Sequence, residues 1–148
     1  RMGMKLSDSS LVARKMSQLE FHAFAAPGYL ARRGTPRTLE ELAEHDWVLW
    51  RPVPAIKLSK VRVLCDDFMF MRGAVRAGLG VGVLPSFVAA EDLATGKLVR
   101  VVPRWAQPGG SLFLVYPKSQ HLPRKVIAFR DFLKEFVAAR PLALALSP

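Results

Sequence analysis

Cys65, Asp66 and Asp67 stand where a short β-branched run, Val61 to Cys65, gives way to an amphipathic stretch that begins at Phe68. Carboxylates in that position accept hydrogen bonds from the orphan N–H groups of a helix start and meet the positive end of its dipole. Capping is therefore the expected task of both aspartates, with ligand contact kept open for Asp66. The remaining reactive types form no comparable constellation. His22, His45 and His121 are scattered over a strand, a helix end and a loop without metal-ligand spacing, so no metal site is expected. Ser9, Ser10 and Ser86 lack a histidine and an acid in any nucleophile-elbow pattern, so no enzyme is expected and no catalytic residue is assigned. The single cysteine, Cys65, excludes an internal disulfide framework and a cysteine cage, and its thiol reads as core.

The elements around the aspartates build a ligand-binding edge. Val61 to Cys65 predicts a strand, and Phe68, Met71, Val75 and Leu79 predict one buried face of a helix, with Arg72 and Arg76 on another face. Gly78 ends that helix, Gly80 and Gly82 permit close backbone approach, and Val81 to Leu84 reads as the next strand, closed by Pro85. Strand, crossover helix and strand imply two strands of one parallel sheet, and such sheets bind ligands at the carboxyl ends of their strands. Cys65 to Phe68 lie at such an end.

Upstream, Leu11 to Met16 and Glu20 to Ala26 read as two strands, the second covered on both faces. Pro27 opens a short helix through Tyr29 and Ala31, and Thr38 with Glu41 forms a capping box for a helix to about His45. Trp47 to Trp50 predicts a strand on which the two tryptophans share a face, as core or as a pocket wall, and Pro52-Val53-Pro54 breaks the chain after it. Downstream come a helix over Ser86 to Ala94, a strand over Leu98 to Val102 and a link from Trp105 to Gly110. A strand over Leu112 to Tyr116 and a helix over Pro123 to Ala139, with Ile127, Phe129, Phe132, Leu133 and Phe136 on its apolar face, follow. The last residues, 143–148, read as a tail.

At 148 residues and 51% hydrophobic the chain can bury a core. It has no apolar run long enough to span a bilayer and no signal-peptide core at its start, which points to a cytoplasmic protein with no membrane partner. The formal charge of +10 raises nucleic-acid binding, yet the basic residues are dispersed singly and in pairs without interleaved aromatics. A basic nucleic-acid-binding module therefore stays as an alternative only.

Four groups of residues, in order along almost the whole chain, resemble the C-terminal effector-binding domain of LysR-type transcriptional regulators. They are Asp8-Ser9-Ser10-Leu11 within residues 1–12; Ala26-Pro27-Gly28-Tyr29-Leu30 with Gly34-Thr35-Pro36; Ala77-Gly78-Leu79-Gly80-Val81-Gly82-Val83-Leu84-Pro85; and Gly96-Lys97-Leu98-Val99 with Leu114-Val115-Tyr116-Pro117, His121-Leu122-Pro123 and Phe129-Arg130-Asp131-Phe132-Leu133. The resemblance implies an α/β, periplasmic-binding-protein-like (type 2) fold of two Rossmann-like lobes, the first of them incomplete. Residues 1–26 would end lobe I, 27–102 form lobe II, and 103–142 cross over and return to lobe I. It also implies a cytoplasmic ligand sensor without a cofactor. A small-molecule effector would touch Ala26, Pro27, Cys65, Asp66, Asp67, Phe68, Leu84 and Pro85. Assembly as a homodimer or homotetramer would use Phe68, Met71, Arg72, Val75, Val81 and Val83, with core packing the alternative role of the helix's apolar face. DNA would be bound only through a winged helix-turn-helix missing from this chain, and a solute-binding lobe of a transport system is the other alternative. Ala26 stands where the family often has serine, and Cys65-Asp66 where it often has serine and asparagine. A carboxylate facing the cleft would repel an anion, which points to a neutral or cationic effector.

Overall fold

The computed structural model describes residues 11–51, 60–119 and 122–139. Phe21–Gln107 form the larger of two units, and the described residues before and after that span form the smaller. In chain order the elements are β1 (Leu11–Ala25), α1 (Pro27–Arg33), α2 (Leu39–Ala43), β2 (Trp47–Trp50), β3 (Val61–Cys65), α3 (Phe68–Arg76), β4 (Val81–Pro85), α4 (Ser86–Ala94), β5 (Val99–Val101), β6 (Gln107–Pro117) and α5 (Arg124–Ala139).

In the larger unit the strands lie in the order β3-β2-β4-β1-β5. β2 runs parallel to both β3 and β4, whereas β1 is antiparallel to β4 and β5. The expected strand-helix-strand unit is present as β3, α3 and β4. Its two strands are not neighbours, however, because β2 hydrogen-bonds between them. Phe24, Val48, Met71, Val75, Val81, Leu84 and Val101 fill the core. The unit takes in Phe21 to Ala26 and Pro103 to Gln107 in addition to the expected 27–102 span.

Local rules explain most element ends. Asp67 accepts the Phe70 N–H at 2.7 Å and so caps α3. Thr38 caps α2 through the Glu41 N–H at 3.2 Å, but the Glu41 carboxylate returns to the Arg37 N–H at 2.7 Å instead of that of Thr38, which leaves the expected box half-closed. Two glycines are required by space. A Cβ on Gly80 would lie 2.7 Å from the Asp46 carbonyl carbon and nearer still to its oxygen, and one on Gly82 would come within 2.5 Å of a Val75 methyl. The close approach of β4 to the start of β2 and to α3 depends on them.

Several expectations give way. Leu11 to Ala25 is one strand rather than two, since no glycine or proline separates Met16 from Glu20 and polar Ser17-Gln18 do not by themselves stop a ladder. Leu79 lies beyond α3 and is exposed instead of on its buried face. β6 begins at Gln107 and pairs with β1, so Pro108-Gly109-Gly110 belong to a strand and not to a link. Trp47 is buried in the core while Trp50 is half-buried. The expected shared face fails because a three-residue step on a strand of period two changes sides.

In the smaller unit β6 pairs with β1, the Arg14 guanidinium donates to the Tyr116 hydroxyl at 3.0 Å, and α5 closes the described chain. No residue of α5 is buried, and Phe129 and Phe132 are 60% and 57% exposed. The tail and Pro52-Val53-Pro54 lie outside the described residues.

Candidate functional site

The registers show which candidate residues share an edge. Trp50 stands opposite Cys65, Phe21 opposite Pro85 and His22 opposite Leu84. The carboxyl ends of the parallel strands β2, β3 and β4 therefore come together with Phe21 of β1. Cys65, Asp66, Asp67, Phe68, Leu84 and Pro85 all belong to this edge. Ala26 and Pro27 do not. They follow Ala25 at the far end of β1, and Ala26 lies five residue steps from Phe21, roughly 17 Å at about 3.4 Å per residue.

An aromatic wall lines the carboxyl edge. The Phe68 ring centre lies 4.9 Å from that of Trp50 and 5.8 Å from that of Phe21, so three elements contribute one apolar surface. The Trp50 indole N–H donates to the Asp66 carbonyl at 3.3 Å, which fixes the turn between β3 and α3 against β2. The two aspartates then divide their tasks. Asp67 caps the helix, and the exposed Asp66 side chain has no part in that cap. Cys65 points inward, its thiol donating to the Leu49 carbonyl at 3.5 Å. Burial pushes that thiol above its ordinary pKa, which keeps it protonated and unreactive at neutral pH. Leu84 and Pro85 are fully buried, so they support the edge from beneath.

Of the residues expected at an oligomer interface, Met71, Val75 and Val81 are buried within the unit's own core. Phe68 packs on Trp50 and Phe21, and Val83 is half-buried. Arg72 is held by Asp92 and, at 2.8 Å, by Glu91, which joins α3 to α4. The apolar side chains α3 leaves exposed are Met69 and Phe70. Sequence reasoning also passed over Trp50 as a partner of Asp66, the buried pair Arg72 and Asp92, and a cluster of Tyr29, His45 and Asp46. Their separations of 16 to 20 residues match no helical or strand period, so no local pattern announces them. Among the described residues no group of three His, Cys, Asp or Glu side chains is placed to hold a metal ion, and no helix is long and apolar enough to cross a membrane.

A mixed sheet with a parallel half and an aromatic carboxyl edge is a frame on which a small molecule can be bound. A family profile described as LysR substrate binding domain matches residues 2–138. The chain belongs to this family, whose domain is the effector-binding regulatory domain of LysR-type regulators and has the periplasmic-binding-protein-like type 2 fold. It is 34% identical to the HTH-type transcriptional regulator PtxR of Pseudomonas aeruginosa, over 95% of this chain and 49% of that protein. It is 32% identical to the probable HTH-type transcriptional regulator LtrA of Klebsiella pneumoniae, over 78% of this chain and 42% of that protein. The chain thus spans about half the length of the curated relatives it matches. Among solved structures, the regulatory domain of AphB from Vibrio vulnificus superposes with a TM-score of 0.74 at 27% identity, over 92% of this chain and 72% of that one. The CrgA regulatory domain from Neisseria meningitidis gives 0.73 at 26%, over 91% and 72%.

Proposed function

We propose that a small neutral or cationic effector binds at the carboxyl edge of the larger unit, against Trp50, Phe68 and Asp66, with Cys65, Asp67, Leu84 and Pro85 shaping the support. Ala26 and Pro27 stand at the other end of β1 and are left out of this site. The observation that carries the reading is the convergence of an aromatic wall and an exposed carboxylate outside the helix cap, on an edge where open parallel sheets take their ligands. Binding has a regulatory output. In the full-length cytoplasmic protein the effector biases the arrangement of a homodimer or homotetramer, and so of winged helix-turn-helix domains on DNA, without catalysis. On α3, the side chains available to a partner are Met69 and Phe70.

Three probes that share one ring test the site: benzamidinium, benzyl alcohol and benzoate, each followed by thermal shift on this chain. The cation or the alcohol is expected to raise Tm while benzoate does not, and Asp66→Asn is expected to remove that discrimination. Stabilisation by benzoate alone would overturn the role given to Asp66. Stabilisation that survives Trp50→Leu unchanged would remove the site from this edge.

A further inference from the structure

The opposite edge of the same sheet carries a buried polar cluster that effector binding does not use. Tyr29 of α1 and His45 and Asp46, in the turn that leads into β2, are all buried. The Tyr29 hydroxyl oxygen accepts the Asp46 backbone N–H at 2.9 Å. The same oxygen lies 3.0 Å from His45 Nδ1 and 3.4 Å from Asp46 Oδ2. A phenol has one proton, which it can give to only one of these two acceptors at a time. The shorter contact directs it to Nδ1, and that arrangement requires a neutral imidazole with its own proton on Nε2. When Nδ1 gains a proton it becomes a donor. The hydroxyl must then accept from both Nδ1 and the Asp46 N–H, and its proton must turn to Asp46 Oδ2. Two proton arrangements thus fit one set of heavy atoms.

We propose that Tyr29, His45 and Asp46 form an acid-sensitive clamp on this edge, in which protonation of His45 turns the Tyr29 hydroxyl from the imidazole to the Asp46 carboxylate and weakens the larger unit. The clamp is placed to transmit that change. Its hydroxyl belongs to α1 and holds the Asp46 N–H, while the Asp46 carbonyl accepts the Val81 N–H at 2.8 Å, so α1, β2 and β4 meet at one residue. The surrounding charges divide. Asp46 itself and Glu41 of α2 favour a charged imidazole, whereas Arg33 of α1 and Lys60, next to β3, oppose it. The Asp46 carboxylate is already engaged by Arg62 of β3 at 2.9 Å and has Arg33 at 3.7 Å. Burial, with Arg33 next, prevails and holds His45 below the ordinary imidazole range. The sign follows from linkage. Between the unfolded-chain value of about 6.5 and the lower folded value the unfolded chain binds the proton and the folded chain does not, so stability falls as pH drops through that window.

The test is a set of melts on this chain from pH 7.5 to 5.0, together with NMR titration of the His45 ring. Wild type is expected to lose Tm on acidification. His45→Asn, which offers an amide oxygen near the place of Nδ1 and does not titrate, is expected to flatten that loss. Arg33→Gln, at an exposed position and so tolerant of replacement, raises the His45 midpoint and needs no change in the core. A His45 midpoint at or above the ordinary value overturns the clamp, as does an acid loss that persists at full size in a folded His45→Asn. An unchanged midpoint in Arg33→Gln also overturns it.

Discussion

The two edges of the sheet in the larger unit are made from different chemistry. At the amino edge Tyr29, His45, Asp46, Arg62 and Arg33 form a network in which buried polar groups find partners across α1, β2 and β3. At the carboxyl edge Trp50, Phe68 and Phe21 present aromatic faces, and Asp66 is exposed beside a cap that Asp67 already makes. One edge is closed by its own residues, and the other leaves side chains to meet something else. The difference teaches that neither charge nor aromaticity marks a binding edge alone. What separates them is that Tyr29, His45 and Asp46 meet partners within the fold while the Asp66 carboxylate is exposed.

Substitutions ranked by expected effect can break or sharpen that contrast. The largest lies away from both edges and sets the scale for a closed network. Asp92, 1% exposed, binds Arg72 and has Arg76 at 3.4 Å, so Asp92→Ala leaves a mostly buried guanidinium with only the exposed Glu91 carboxylate. A loss of about 3–5 kcal/mol is expected in urea denaturation, against less than about 1 kcal/mol for the exposed Glu91→Ala. At the amino edge, Gly80→Ala forces a methyl into the Asp46 carbonyl and is expected to cost about 1–3 kcal/mol or more. A neutral result there would mean that the edge yields readily and is not the rigid one. At the carboxyl edge, Asp67→Ala loses the α3 cap at about 1 kcal/mol. Asp66→Ala is expected within about 0.5 kcal/mol of wild type, with its effect confined to ligand preference. Equal losses at Asp66 and Asp67 would erase the division of tasks between them.

Acid supplies a further comparison. Arg72 holds the Asp92 carboxyl below the usual range, and Arg62 does the same for Asp46. A carboxylate whose folded pKa is depressed stabilises the fold above its unfolded value, near 3.9, and loses that contribution as pH falls through the folded one. Acid melts should therefore show a second fall below about pH 4. Asp92→Asn, already without that charge, should show less of it.

Much of this architecture is legible in short stretches. The cap at Asp67 and the apolar spacing of Met71 and Val75 are consequences of neighbours within a turn or two, so residue types and spacing suffice, whereas the need for Gly80 comes from Asp46, far off in the chain. Other readings failed for reasons equally physical. Pro108-Gly109-Gly110 reads as a link yet belongs to β6, and Trp47 and Trp50 read as sharing a face although a three-residue step puts them on opposite sides. The candidate site was half legible. Cys65 to Phe68 and Leu84-Pro85 do share an edge, but a list of motif residues carries no direction along β1, and Ala26 with Pro27 fall at its other end.

By itself the sequence determined most of the elements, the Asp67 cap and, through four motif groups in order, the family, because each depends on residue type and near spacing. Tertiary structure alone decided that β2 lies between β3 and β4, that β1 carries Phe21 and Ala25 to opposite edges, and that Tyr29 meets His45 and Arg72 meets Asp92. Those outcomes rest on hydrogen-bond registers and buried charge pairs between residues far apart in the chain. Long-range pairing follows from the packing of the whole unit and not from the spacing of any part of it.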